Sequence, residues 1–554
     1  MGRLILRTRW LTVGVALAVA AAGGLLAAIR DEGPETKPGL AKKPNIVMIM
    51  TDDQWLESMR VMSHTRRLLG DGGVIFRNSY VSFPLCCPSR ATYLTGQYAH
   101  NNGVLHNAPP LGGYAKLKDE NTLPVWLQKA GYVTSHIGKY PNGYGRDDPR
   151  DVPRGWTEWR GSVDPSTYRM WGYTLNENGS LRTYGRPGVE DPRTYQTDVY
   201  RDKAVDFIER RSGEDRPFFL STAFLAPHAE IRPVLRKARR GVERAPRPAP
   251  RHDGSLDDEP LPRRFGEDRI GDKPRFVRAY PRPGEKATAR IRDSYRGRLN
   301  SLLAVDEAVE RIVGALKRTG TLDNTYLIFT SDNGFFFGEH RISTGKYLPY
   351  EASSHVPLLI RGPGLPAGRT SEELVSNVDL AATIADAAGV HPGLPVDGRS
   401  LLPFARYPDR RTNRPVLHEA GHGALRSILG RRDGKRRSGK RGGPDGDAAG
   451  KAAARGDLNQ DVTAPRGGKP SRSAEVDSAA YEAIRTQRYL YIRYRNGARE
   501  LYDYKVDPDE SRSRHDDRDY AKVRRFLDRQ LDRLQACRAT ACDRPIPDPP
   551  NLSP

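Results

Sequence analysis

Cysteine is scarce in this sequence, with four residues among 554. That count excludes a small domain stapled by several disulfides, and equally a zinc or iron–sulfur module built on thiolates. Apolar residues are thin as well, at 37% against 29% charged, and a single long apolar run occurs. A multi-pass membrane protein is thereby excluded. Short apolar runs at 46–50 and 218–220 exclude a wholly disordered chain. There is no internal repeat. No helix-turn-helix, zinc-finger or ribonucleoprotein motif accompanies the formal net charge of +22. The positive balance is thus either an arginine-rich composition or a sign of an anionic substrate or surface, and nucleic acid is not an expected partner.

The long apolar run stands at the N-terminus. Arg3, Arg7 and Arg9 precede an uncharged stretch at 10–29, which Arg30, Asp31 and Glu32 close. A basic flank, an apolar run and a polar segment form the layout of an export signal. Small residues at 18–24 permit cleavage, while the run is long enough to span a bilayer if it is kept. A signal peptide and an N-terminal anchor therefore both stay open. Either makes the protein exported, secreted or held at the cell surface, and the membrane would be reached through that segment alone. In an oxidising compartment Cys537 and Cys542, with four residues between them, read as a small disulfide loop.

Length suggests two or three domains. After a linker at 33–43, apolar runs at Asn45–Thr51, 132–137, 217–224 and 325–330 alternate with helical stretches at 123–130, 195–210 and 291–320. Continuous runs of Ile, Val, Phe and Thr fit strands buried on both faces. The alternation predicts an α/β domain with a large, mixed but mostly parallel sheet sandwiched by helices. Residues 236–283, rich in Pro, Arg and Asp, read as a surface excursion, and 430–473 as a mobile low-complexity insertion. Beyond it, alternating strands at 487–494 and 499–504 flank an Asn496-Gly497 turn, and a helix comes next at 520–535. The expected division is 1–40 for the leader and linker, 41–410 for a catalytic domain, and 411–545 for a smaller α+β unit.

Ligands of open parallel sheets collect beyond the carboxyl ends of the strands. The residues just past the apolar runs form a one-sided set: Asp52-Asp53, Gly138-Lys139, Pro227-His228 and Ser331-Asp332-Asn333-Gly334. Asp52, Asp53, Asp332 and Asn333 are hard oxygen donors, suited to Ca²⁺ or Mg²⁺, although Asp and Asn also cap helices and make turns. Three carboxylates on one rim would repel one another without a cation between them. In Leu85-Cys86-Cys87-Pro88-Ser89-Arg90, Pro88 suits a first helical turn and Gly96 a helix stop. Cys86 would then meet an electropositive helix start, with Arg90 one turn on, which is the setting of a reactive thiol.

Cys86-x-Pro88-Ser89-Arg90 followed by Leu94-Thr95-Gly96 resembles the signature of type I, formylglycine-dependent sulfatases, within the alkaline-phosphatase-like superfamily. The likeness extends through Pro44-Asn45-Ile46-Val47, Gly138-Lys139-Tyr140, Gly338-Glu339-His340-Arg341, Gly345-Lys346, Val356-Pro357, Arg361-Gly362-Pro363-Gly364 and Glu500-Leu501-Tyr502-Asp503. The resemblance implies an alkaline-phosphatase-like fold with a smaller C-terminal domain. It implies that Cys86 is oxidised to formylglycine by a formylglycine-generating enzyme, and that Asp52, Asp53, Asp332, Asn333 and the modified Cys86 hold one Ca²⁺, with Mg²⁺ second. It assigns catalytic roles to Cys86, Arg90, Lys139, His228 and Lys346: sulfate would meet Lys139, His228 and Lys346, while Arg90 supports the formylglycine hydrate. Many members carry a histidine where this chain has Pro141. The Gly-Lys-Tyr-x-Asn form, with Asn142, is similar instead to the N-acetylglucosamine-6-sulfatase branch, as is the Cys86-Cys87 pair. Asn142 is accordingly expected to face a sulfated small-molecule or glycan substrate, and His340 either faces that substrate or simply its own loop. Two other readings compete: a phosphodiesterase or phosphonate hydrolase on the same scaffold, and a non-enzymatic polyanion-binding surface protein.

Overall fold

The run NIVMIMT forms strand β1, Asn45–Thr51, with every residue buried. Its side chains divide between two cores. Ile46, Met48 and Met50 pack with Ala91, Leu94, Trp126, Leu127 and Ile384. Val47 and Ile49 pack with Tyr200, Phe207, Val305, Val309 and Ile312. A strand that hides both faces needs helices above and below, and its sequence is apolar throughout for that reason. The computed structural model describes residues 43–232, 242–421 and 480–552. The apolar N-terminal run and the expected insertion at 430–473 lie outside the described residues. Among the described residues no helix is long and apolar enough to cross a membrane.

The large sheet continues through β2 (Val74–Tyr80), β3 (Val133–Gly138), β4 (Glu158–Ser162), β5 (Tyr173–Glu177), β6 (Ser180–Tyr184) and β7 (Phe218–Ala223). A separate ribbon joins β8 (Glu230–Arg232) to β9 (Val242–Arg244). The large sheet then takes up β10 (Thr325–Ser331), β11 (Leu358–Arg361) and β12 (Arg369–Ser376). Its ten strands run in the order β12-β2-β11-β10-β1-β7-β3-β4-β5-β6. The central pairs β10/β1, β1/β7, β7/β3 and β3/β4 are parallel. Only β11 and β5 run against the rest. Helices Gln196–Arg211 and Glu285–Arg318 cover one face, while Cys86–Thr95, Leu123–Lys129 and Asp379–Ala388 cover the other.

Register positions the site. Thr51 lies opposite Ser331, Met50 opposite Ala223, and Gly138 opposite Ala223. The carboxyl ends of β10, β1, β7 and β3 are therefore level, and the residues just beyond them share one rim.

A second sheet, β13 (Val416–Ala420), β14 (Tyr481–Arg485), β15 (Tyr489–Tyr494) and β16 (Arg499–Asp503), is antiparallel throughout. The β15–β16 turn uses Gly497 at φ +88°, a conformation glycine adopts without steric cost. Helix Ala521–Leu534 lies on this sheet, with Val523, Phe526, Leu527 and Leu531 against Leu417, Ile484, Tyr491 and Leu501. Cys537 and Cys542 are disulfide-bonded. The excursion differs from expectation within its described part, residues 242–283. Ala249, Ile270, Lys273, Val277 and Tyr280 are buried, because the segment packs on helix Glu285–Arg318 and on the second sheet, where Lys273 donates to the Tyr502 hydroxyl.

His418 of β13 is fully buried, and its Nδ1 donates to the Val81 carbonyl at 2.9 Å. Burial lowers its imidazole to about 4. The unfolded chain takes up that proton near pH ~6.5 and the folded chain only near the lowered value, so stability is lost as pH falls through this window. Asn can keep the bond to Val81 without titrating. Urea unfolding should show the parent losing about 2 kcal/mol more than His418→Asn between pH ~7 and pH ~5.

Candidate active site

Helix Cys86–Thr95 starts where the extended Leu85 (φ −153°) ends, and stops at Gly96 (φ +66°). All ten of its residues are buried, Pro88 among the first three. Cys86 is thus its first residue, pointed at the rim of the sheet. Cys86 Sγ lies 3.5 Å from Asp52 Oδ1 and 2.6 Å from Lys346 Nζ. Ligand atoms of Asp52, Asp53, Cys86 and His228 all fall within 4.8 Å of one another.

Each carboxylate has cationic partners. Asp52 pairs with Lys139 and, at 3.3 Å, with Arg90. Asp332 receives Arg90 Nη2 at 2.8 Å and the Asp53 backbone N–H at 3.1 Å. Asp53 takes Lys346 at 2.5 Å, Arg298 at 3.3 Å and Asn333 Nδ2 at 2.7 Å. Its backbone sits at φ +63°, a left-handed conformation that Asp tolerates better than most residues. The Gln54 N–H on Ser331 Oγ, at 3.0 Å, ties this turn to the neighbouring strand end. His228 Nε2 stands 3.7 Å from Asp53 Oδ2, while its Nδ1 donates to the Ala229 carbonyl at 2.8 Å.

The electrostatics come from burial set against these pairs. Burial would raise Asp53, but Lys346, His228 and Arg298 hold it far below the usual carboxylate range. Asp52 is likewise lowered, by Lys139, His228 and Arg90 against burial. Asp332 is raised by burial and by Asp52, against Arg90. Burial lowers the His228 imidazole to about 4. Burial and Asp52 also push the Cys86 thiol well above its ordinary range, in spite of Lys139 and Lys346. Burial and Asp52 thus oppose thiolate formation at the helix start, while Lys139 and Lys346 favour it.

A family model described as Sulfatase matches residues 44–390, more than half of the chain. The chain belongs to the sulfatase family. It is 36% identical over 380 residues to an N-acetylglucosamine-6-sulfatase of Homo sapiens, covering 66% of this chain and 65% of that protein. It is 32% identical over 527 residues to an arylsulfatase of Chlamydomonas reinhardtii, covering 91% of this chain and 76% of the relative. A structure solved in complex with its substrate, D-glucosamine-2-N,6-O-disulfate, aligns with TM-score 0.66 at 25% identity, over 89% of this chain and 98% of that one. The chain spans about half to two thirds of the length of several curated relatives it matches.

Within this sulfatase-family chain the rim brings together Asp52, Asp53, Cys86, Arg90, Lys139, His228, Asp332, Asn333 and Lys346. Asn142 lies on the same side: its Nδ2 donates to the Tyr168 hydroxyl at 2.7 Å, and the Tyr168 ring stands 4.8 Å from Lys139 Nζ. His340 is engaged elsewhere. It sits between Glu267 (3.0 Å) and Glu510 (3.5 Å), with its ring against Tyr350, and shares no ion pair with the cluster among the described residues. Asn333 Oδ1 is buried and has no hydrogen-bond partner. An orphaned hard oxygen on a side chain hydrogen-bonded to Asp53 fits a set of donors that would hold a divalent cation.

Two residues of this site carry no motif. Tyr168 comes from a single 3₁₀ turn, Ser166–Tyr168. Arg298 lies mid-helix, 1% exposed, with its guanidinium 3.7 Å from the Phe335 ring centroid. Replacing Arg298 by Met removes one charged partner from the buried Asp53, which keeps Lys346 and Asn333, and should cost about 2 kcal/mol in urea unfolding. The exposed Arg369–Asp409 pair (47% and 86% exposed) should contribute less than about 1 kcal/mol in the matched Arg369→Met variant.

Proposed function

We propose that this chain is an exported sulfatase that hydrolyses sulfate esters of carbohydrate, of the 6-sulfated glucosamine type. The observation that carries the reading is the convergence of Cys86, three carboxylates and four side-chain cations on one buried rim. Family membership, the glucosamine-6-sulfatase relatives and the solved complex with a 6-O-sulfated glucosamine support the substrate class.

A buried thiol that keeps its proton is a weak nucleophile. Conversion of Cys86 to formylglycine by a formylglycine-generating enzyme fits this position better. As a hydrated aldehyde it would supply one hydroxyl to attack sulfur and a second whose lost proton allows sulfate to leave. Asp52, Asp53, Asp332 and Asn333 would hold a divalent cation, with Ca²⁺ favoured by the all-oxygen set, and it would supply Lewis-acid polarisation of a sulfate oxygen.

The chain's own side chains do the rest. Arg90 reaches both Asp52 and Asp332 and keeps positive charge beside residue 86. Lys139 and Lys346, poised at Asp52 and Asp53, face the charge that spreads over sulfate in the transition state. The Nδ1–H of His228 on Ala229 fixes the ring and leaves Nε2, 3.7 Å from Asp53 Oδ2, as the acceptor nitrogen turned toward the site. Burial of the whole cluster excludes bulk water and strengthens each of these interactions.

Sulfate release from aryl and sugar sulfates should fall at least about a thousandfold in Cys86→Ala, with the unfolding transition unchanged. Mass spectrometry of the peptide spanning residue 86 should show the parent side chain without its sulfur; an intact thiol in active protein refutes the modification. In calorimetric titrations of the folded chain, Asp332→Ala should bind Ca²⁺ at least about tenfold more weakly than the parent.

A further inference from the structure

Tyr168 belongs to the short turn Ser166–Tyr168, and no motif marks it. The turn is clamped from outside the sheet. Gln196 Nε2 donates to the carbonyls of Thr167 and Arg169, at 2.8 and 2.9 Å. Asp164, just ahead of it, accepts the Gly143 N–H at 2.7 Å, which ties the turn to the loop that carries Asn142.

The phenol so held touches three groups of the site at once. Its ring lies 5.2 Å from the His228 imidazole and 4.8 Å from Lys139 Nζ, and its hydroxyl accepts from Asn142 Nδ2 at 2.7 Å. In this bond the amide nitrogen is turned to Tyr168 and the oxygen is presented elsewhere. Asn142 is 3% exposed, and its Oδ1 has no hydrogen-bond partner. A buried acceptor left unmatched is costly, so its natural complement is a donor that arrives with the ligand.

The geometry points to Tyr168 as a positioning residue that locks the Asn142 amide so that Oδ1 accepts a hydrogen bond from a substrate hydroxyl or amide N–H near the sulfated carbon. The inference rests on the sulfatase reading and deepens it. The subsite selects sulfate esters of sugars, which carry such donors, over aryl sulfates, which lack them. An amide free to flip would offer its NH₂ to the same donor and lose that selection.

The test compares kcat/KM for glucosamine 6-sulfate and for 4-nitrophenyl sulfate in the full chain. Tyr168→Phe keeps the ring over Lys139 and His228 and removes only the partner of Asn142. It should lower the sugar-to-aryl ratio about tenfold, through KM for the sugar rather than kcat. Asn142→Leu should lower the ratio to a similar extent, and the double variant should go no lower, because both changes disable one acceptor. An unchanged ratio in Tyr168→Phe, equal losses on both probes, or additive losses in the double variant would each overturn the inference while leaving the sulfatase reading in place. A parent chain that releases sulfate from neither probe overturns both.

Discussion

Three carboxylates without solvent at the end of one sheet would be an expensive arrangement if they stood alone, since each ionised group gives up its hydration on burial. Asp52, Asp53 and Asp332 are at most 1% exposed. What makes them tolerable is a set of cations delivered from separate elements: Lys139 from the end of β3, Arg90 from the helix that Cys86 begins, Lys346 from the loop after β10, and Arg298 from the long helix beneath. The repulsion that the sequence suggests is therefore relieved in part by the protein itself. Four cations against three carboxylates leave the cluster formally positive before any metal enters. A divalent ion added to such a site shifts the balance further toward anions, which suits a sulfate ester and disfavours a neutral ligand.

Level strand ends are the geometric condition for this compensation. A one-residue slip between β1 and β10 would separate the Asp53 N–H from the Asp332 carboxylate and turn the side chains to opposite faces. Continuous apolar burial of β1, β7 and β10 fixes that register, so the core and the site are specified by the same residues. Misalignment would strand charge as well as lose packing.

Legibility in the sequence tracked burial. β1, β3, β7 and β10 read as strands within a residue of their true ends, because strands hidden on both faces are apolar without interruption. β2 alternates between buried and exposed positions, β6 is largely exposed, and β11 is four residues long; none of them rises above the background of a polar chain. Arg298 left a trace that was readable. Ile291, Tyr295, Arg298, Leu302, Val305, Val309, Ile312 and Leu316 form one stripe at helical spacing, all buried. An arginine on an apolar stripe needs a buried carboxylate, and Asp53 is that partner. Tyr168 left no such trace, since a single 3₁₀ turn is too short to show a periodicity. His340 sits in a family-like motif, yet Glu267 and Glu510 claim it from segments far away in sequence, which pattern reading does not reach.

The second sheet looks separable along the chain, but it holds part of the site. Tyr347, next to Lys346, has φ +93°, a backbone state that a bulky residue keeps only when its surroundings over-determine it. Three contacts supply that constraint. The Tyr347 N–H donates to the Pro84 carbonyl at 3.0 Å, just ahead of Cys86. The Tyr481 hydroxyl of β14 donates to the Tyr347 carbonyl at 2.6 Å. Phe336 N–H reaches the Gly345 carbonyl at 2.7 Å, closing the loop after Asn333 on itself. Lys346 is thereby fixed between the segment that launches residue 86 and a strand of the other sheet. Tyr350 and Tyr494, which share Glu500 at 2.8 and 2.6 Å, continue the seam inward. A lysine on a free loop would collapse onto the nearest carboxylate in any of several geometries; this one has a single place for its ammonium, and β14 is one of the walls that defines it.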